Sequence, residues 1–267
     1  MSTPTSLITG ATDGIGRRAA LELARRGAQV LVHGRDPARG QAVLDEIRAA
    51  GGTAEYFNAD LAELAQVRAL AAEVQARTDR LDVLVANAGV FMPERRLSAD
   101  GHEMTFAVNH LAHFLLINLL RDLLHRSAPA RVVVVASRVH HSGRLAWDDL
   151  NAARSFDGYA AYANSKLANV LFTYALAEQL TGTGVTANCL HPGVIGTKLL
   201  RAGWGGGGQG LAAGAAALVH AASAPELAAV TGRYFEDQRE QTSSRASRDA
   251  DQQAELWRVS AQLTGLE

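Results

Sequence analysis

Three side chains in this sequence have the types and spacing to move a proton: Tyr162 and Lys166, four residues apart, and Ser137. On a helix, the four-residue spacing puts the phenol and the ammonium on one face, within reach of each other. A phenol with a reference pKa of about 10 is a poor acid or base at neutral pH, and a cation within about 4–6 Å favours its ionised form. The pair would then be a usable proton donor, although an ordinary surface helix could carry the same two residues. Ser137 follows Arg131 to Ala136, an almost unbroken valine run that reads as a central parallel strand. A serine there either caps the next turn or faces a ligand, because open α/β sheets bind ligands beyond the carboxyl ends of their strands.

Such chemistry needs a partner held beside it, and the N-terminal stretch offers a place for one. Thr9-Gly10-Ala11-Thr12-Asp13-Gly14-Ile15-Gly16 lies between the apolar run Ser6-Leu7-Ile8 and a helical pattern that ends at Gly27. Glycines there would let backbone N–H groups approach a pyrophosphate at the positive end of the helix dipole. Their order departs from G-x-G-x-x-G, so an ordinary strand-to-helix loop is the alternative. Val30-Leu31-Val32 completes a β-α-β unit and ends in His33-Gly34-Arg35-Asp36. Folds of this kind read the adenosine ribose there, with an acid for the 2′-hydroxyl of NAD or an arginine for the 2′-phosphate of NADP. Asp36 precedes Pro37 and suits the N-cap of the next helix. Arg35 is then a phosphate clamp or a solvated surface residue.

The elements that must position these groups follow in order. A helix over 37–49 is stopped by Gly51-Gly52, and a strand over 54–59 ends in Asp60-Leu61. After a helix over 62–77, a strand over 81–86 ends in Asn87-Ala88-Gly89, whose small residues would let the backbone lie close under a ribose or nicotinamide. A long helical stretch over 99–126 holds Asn109 at mid-helix, where asparagine competes for backbone hydrogen bonds and needs a reason to be. His102, His110, His113 and His125 in that stretch lack a carboxylate or cysteine pattern and read as core or surface residues, with no metal site expected. The polar segment 138–158 leads to the helix of Tyr162. A strand over 185–190 runs into His191-Pro192-Gly193-Val194-Ile195-Gly196-Thr197. Trp204 to Gly210 reads as too flexible for an element, a hinge in a lid over 196–222 that includes a helix at 211–222. A short strand over 232–235 and a charged helix over about 249–263 finish the chain. The pattern predicts one Rossmann-type domain over 1–267: a three-layer, doubly wound parallel sheet of about seven strands with helices on both faces.

Bulk composition narrows the function. With 267 residues, 48% of them hydrophobic, and a formal net charge of −1, the chain suits a buried parallel sheet. Its charges are mixed, which argues against nucleic acid or a polybasic membrane patch. Cys189 is the only cysteine, so intramolecular disulfides are impossible and a reducing compartment, the cytoplasm, is expected. With five residues before the first strand, no signal peptide is expected. The apolar stretch Phe114 to Leu120, interrupted by Asn118, is far shorter than the roughly 20 residues of a membrane span.

Taken together, Thr9-Gly10-x-x-x-Gly14-Ile15-Gly16, Asp60-Leu61, Asn87-Ala88-Gly89, Asn109, Ser137, Tyr162-x-x-x-Lys166 and Pro192-Gly193 resemble the short-chain dehydrogenase/reductase family over essentially the whole chain. The run Tyr162 to Val170, His191-Pro192-Gly193-Val194 and Gly232-Arg233-Tyr234-Phe235 look most like its retinol dehydrogenase and WW-domain oxidoreductase branch. The resemblance implies catalysis by Ser137, Tyr162, Lys166 and Asn109. Ser137 would bond the substrate oxygen, and Tyr162 would exchange the proton. Lys166 would bind the nicotinamide ribose and lower the tyrosine's pKa, while Asn109 would open its helix to hold a water linking Lys166 to solvent. The coenzyme would be held by Gly10, Thr12, Asp13, Gly14, Ile15 and Gly16, by Asp60 and Leu61 at the adenine, and by Asn87, Ala88 and Gly89 beneath the nicotinamide riboside. Tyr162, Lys166, Pro192, Gly193, Ile195 and Thr197 would complete the set. Gly34 fills the position of the NAD-selecting acid with Arg35 next to it, which implies NADP(H) over NAD(H), while Asp13 stands where some NADP-preferring members are basic.

The expected reaction interconverts a carbonyl and an alcohol on a small, apolar molecule, with Phe91, Met92, Leu145, Trp147, Leu199, Leu200 and Trp204 as candidate pocket residues. A homodimer through helix faces is implied, unless the long segment between Ser137 and Tyr162 covers them. Two other readings are a coenzyme-binding sensor or scaffold without turnover, and a nucleotide-sugar epimerase or dehydratase. The sensor should lack the tyrosine or lysine, and the epimerase needs a larger region after Pro192.

Overall fold

The computed structural model describes residues 3–266. Eight strands form one sheet in the order β3-β2-β1-β4-β5-β6-β7-β8, parallel except for the last pair. They are β1 (Thr5–Ile8), β2 (Gln29–Gly34), β3 (Thr53–Asn58), β4 (Val83–Ala86), β5 (Ala130–Val135), β6 (Val185–His191), β7 (Tyr234–Glu236) and β8 (Arg239–Gln241). The order reverses between β1 and β4, and the crevice at such a switch point is where doubly wound sheets bind ligands. Central strands carry continuous apolar runs because helices cover both faces.

Helices α1 (Gly14–Arg25), α2 (Pro37–Ala49) and α9 (Leu211–Ser223) cover one face; α3 (Leu64–Arg77), α5 (Ala112–Leu119), α7 (Gly158–Gln179) and α10 (Ala250–Thr264) cover the other. Short helices α4 (Met104–Phe106), α6 (Arg121–Arg126) and α8 (Lys198–Trp204) join them. Each face has its own core, with Val30, Val32, Ile47 and Leu218 on the first and Leu84, Phe114, Leu167 and Phe172 on the second. Burying such a side chain contributes about 1.5–3 kcal/mol, so the sheet is clamped from both sides.

Four details differ from expectation. The eighth strand forms a hairpin with β7 through Asp237 and Gln238, both at positive φ. A primed turn without glycine gives no sequence signal. The stretch expected to be helical from 99 starts at Met104, where the Glu103 carboxylate accepts from Thr105 N and Phe106 N, and a π-turn over Ala107–Leu111 separates α4 from α5. Trp204 ends α8 instead of beginning a flexible stretch. The expected lid of 196–222 therefore divides: α8 lies at the surface with no buried residue, while α9 packs Ala215, Leu218 and Ala222 into the first core. Among the described residues, no helix is long and apolar enough to cross a membrane.

Candidate active site

The glycine-rich loop is shaped by close approach. A Cβ on Gly16 would stand 2.4 Å from Gly10 O and Asn87 Nδ2, so only glycine lets α1 begin against the strand ends. Asp13 caps that helix by accepting from Gly14 N at 2.8 Å. Beside the loop, Asn87 Nδ2 donates to Thr9 O at 2.8 Å, and the Thr9 hydroxyl accepts from Asn87 N and Ala88 N at 2.9 and 3.0 Å. These bonds join the carboxyl ends of β1 and β4 into one floor. His33 supports it from beneath, accepting from Gly10 N and donating to Ala59 O, and burial pushes its pKa down to about 4.

At the end of β2, a Cβ on Gly34 would stand 2.4 Å from Thr12 Cγ2, so with Thr12 in place no acidic side chain fits there. Asp36 caps α2, accepting from Ala38 N and Arg39 N, as its place before Pro37 suggested. Arg35 reaches Asp60 at 3.4 Å, and Arg39 reaches both Asp13 and Asp36. Asp13, whose sequence position argued against a phosphate, is flanked by two cations, Arg39 at 3.4 Å and Lys198 at 2.5 Å. The Lys198 bond holds its carboxyl below the usual range. Sequence reasoning passed over Arg39, which lies in the first turn of α2, where a cation opposes the helix dipole.

At the other end, α7 starts at the Asp157 cap and runs buried between the sheet and α10. Tyr162 and Lys166 are 7% and 3% exposed, which removes the surface-helix alternative. Lys166 Nζ lies 5.5 Å from the centre of the Tyr162 ring and donates to Val135 O at 2.9 Å. Ser137 stands just beyond β5, its hydroxyl oxygen accepting from Val139 N at 3.5 Å, and it borders the same cavity as Tyr162. The electrostatics reverse one expectation. Burial raises the Tyr162 pKa, with Ser137 only partly opposing it, while burial pushes Lys166 down to about 8. Desolvation disfavours both charged forms and outweighs their mutual attraction in this state.

These groups line one cavity of about 1080 Å³. Every residue assigned to the coenzyme from sequence, from Gly10 to Thr197, borders it, as does Ser137. Asn109 stands behind the wall, fully buried in the π-turn, its side chain bonded to Val90 N, Val90 O and Ser165 Oγ and its carbonyl to His113 Nδ1. It braces the wall and does not border the cavity.

Among the candidate pocket residues, Leu199, Leu200 and Trp204 face the cavity, and Phe91 stacks on Tyr162 and Trp204 at 6.0 and 5.3 Å. Leu145 and Trp147 instead lie outside the cavity, partly buried against the second core. Sequence reasoning missed Tyr159, which borders the cavity and meets Trp204 at 6.1 Å, and His191, which borders it with both ring nitrogens lacking a protein partner among the described residues. In the sequence His191 stands out as the end of its strand and as part of the His191-Pro192-Gly193-Val194 motif, with no role of its own. Among the described residues, no three His, Cys, Asp or Glu side chains cluster closely enough for a metal.

The geometry has known counterparts. The family model for short chain dehydrogenases matches residues 4–204. Human retinol dehydrogenase 14 is 40% identical over 98% of this chain and 86% of its own length. Mouse polyprenol dehydrogenase is 42% identical over 97% of this chain and 83% of its own length. An uncharacterised protein from Mycobacterium paratuberculosis superposes with a TM-score of 0.84 at 35% identity, covering 99% of this chain and 94% of that one. A short chain dehydrogenase from Escherichia coli CFT073, complexed with NADPH, gives a TM-score of 0.75 at 26% identity over 90% of this chain and 98% of that one. With the glycine turn, the strand-end serine and the tyrosine–lysine pair bordering one crevice at the sheet's switch point, this chain belongs to the short chain dehydrogenase family of oxidoreductases.

Proposed function

We propose that this protein is an NADP(H)-dependent oxidoreductase that interconverts a carbonyl and an alcohol on a small apolar substrate in the cytoplasm. The observation that carries the reading is the single cavity bordered by Ser137, Tyr162 and Lys166 at one end and by the glycine loop and Arg35 at the other. The residues present fit the coenzyme: the glycine loop at the start of α1 borders the cavity, and Gly34 with Thr12 leaves no room for an NAD-selecting acid. Arg35 and Arg39 would hold the 2′-phosphate, Asp60 and Leu61 the adenine, and Thr197 the carboxamide.

When bound, the nicotinamide supplies the hydride for reduction or takes it in oxidation. The hydroxyls of Ser137 and Tyr162 would donate to the substrate oxygen as charge develops there. Tyr162, held as a neutral phenol by burial, would pass its proton to that oxygen, and Lys166 would bind the ribose hydroxyls beside it. Leu199, Leu200 and Trp204 would favour apolar substrates and exclude water.

The test follows NADPH absorbance across a panel of aromatic, steroid-like, retinoid-like and aliphatic carbonyls, with NADH as control. Turnover with NADPH above NADH is expected. Binding of NADPH without turnover of any member would replace this reading with a coenzyme-binding sensor.

A further inference from the structure

Five imidazoles are buried among the described residues: His33, His110, His113, His140 and His191. Of these, His113 reaches the coenzyme half directly and the tyrosine half through Asn109, one turn earlier on its own helical stretch. Its Nδ1 lies 3.0 Å from Asn109 O, and its Nε2 lies 2.9 Å from Thr9 Oγ. A carbonyl can only accept, so Nδ1 carries the proton, and in a neutral ring Nε2 then accepts from the Thr9 hydroxyl. Thr9 in turn receives the N–H groups of Asn87 and Ala88.

On its other side, the chain of bonds continues through Asn109. Its amide donates to Ser165 Oγ at 3.0 Å, and Ser165 donates to Tyr162 O at 2.8 Å. One buried path therefore runs from the floor of the coenzyme cradle to the turn of α7 that carries Tyr162 and Lys166. Burial pushes the His113 pKa down to about 4, with the Asn109 bond and the charges of Lys166 and His33 as smaller influences, so a single tautomer serves both bonds. The helix is widened into a π-turn at this crossing, a feature frequent at functional sites.

We propose that His113 is a positioning residue that holds the nicotinamide-facing strand ends and the tyrosine helix in one register, coupling coenzyme binding to proton transfer. The proposal rests on the oxidoreductase reading above. The ring acts through Thr9 toward the coenzyme and through Asn109 toward Tyr162, and the two arms can be cut separately. An asparagine at 113 places its amide nitrogen near the position of Nδ1 and can keep the bond to Asn109 O. A glutamine places its amide oxygen near the position of Nε2 and can keep the bond from Thr9.

The experiment measures three quantities for His113→Phe, His113→Asn and His113→Gln: the NADPH Kd by fluorescence titration, kcat with 4-nitrobenzaldehyde as carbonyl probe, and the thermal midpoint. The phenylalanine variant should weaken NADPH binding and lower kcat, each by about tenfold, as expected when a buried bond is lost and its partner left unpaired. Glutamine should restore the Kd and leave kcat low; asparagine should do the reverse. Thr9→Val combined with His113→Asn should weaken NADPH binding no further than Thr9→Val alone.

Kd and kcat moving together in all variants, in step with the thermal midpoint, would overturn the proposal. So would a folded phenylalanine variant within twofold of wild type in both. Should the phenylalanine variant not fold, the opposite responses of the asparagine and glutamine variants decide. Lack of turnover by the wild-type protein would strike the oxidoreductase reading alone, since the Kd comparisons need no turnover.

Discussion

The floor and the roof of the cavity are built differently. The floor consists of strand ends, the π-turn with the start of α5, and α7, where Thr9, Asn109, His113 and Ser165 are each at most 1% exposed and each make two or more hydrogen bonds. The roof is α8 and the glycine run 205–208, where no residue of the helix is buried. Three devices hold it: the Lys198–Asp13 ion pair, the ring contacts of Trp204, and the bridge of Ile195 to Gln209. Buried bonds are costly to leave unmade, whereas an exposed ion pair contributes little, so the floor is held more firmly than the roof. On the proposed function, hydride and proton transfer would belong to the first region, and admission and release to the second.

That contrast predicts graded effects. Removing the floor's reacting hydroxyl in Tyr162→Phe should lower kcat by about 10²–10⁴-fold with NADPH affinity unchanged. A fluorescence titration beside steady-state rates checks this, and near-full turnover would break the assignment. Gly16→Ala forces a methyl against Gly10 O and Asn87 Nδ2, so NADPH affinity should fall by roughly 5–100-fold, in line with overpacking costs of about 1–3 kcal/mol. Isothermal titration would detect it, and an unchanged affinity would mean that the loop is not the cradle.

Acid should unsettle the floor first. Burial lowers His33, His113, His140 and His191 to about 4. Between that value and about 6.5 the unfolded chain binds protons that the folded chain refuses, so stability is complete above the unfolded pKa and falls as pH drops toward 4. The urea midpoint at pH 5 should therefore lie below that at pH 7; equal midpoints would contradict neutral burial.

The roof should respond more mildly. Trp204→Ala opens the wall beside Tyr162, so KM for apolar carbonyls should rise by about tenfold while kcat changes little, as expected for lost ground-state binding. A fall in kcat with constant KM would move Trp204 into the floor's role. Lys198→Ala cuts only an exposed ion pair and should speed NADPH release by no more than about fivefold, an effect that salt reproduces. Stopped-flow displacement measures it, and a much larger acceleration would show that the pair locks the roof.

Short-range order decided much of this protein in advance. The valine strand, the glycine turn, the Asp36–Pro37 helix start and the Tyr162–Lys166 spacing depend on neighbours within a turn or two, so their residue types and intervals suffice to read them. The π-turn at Asn109 announced itself only as an awkward residue in a helix. What the tertiary structure alone decided depends on groups far apart in the chain. His113 meets Thr9 across 104 positions, and Lys198 meets Asp13 across 185. The place of Leu145 and Trp147 outside the cavity, and the burial of α9 in the core, follow from how distant elements pack. The same holds for the direction of the Tyr162 pKa. Sequence spacing places a cation beside the phenol, but desolvation is set by every atom packed around both, and only the folded chain supplies those atoms.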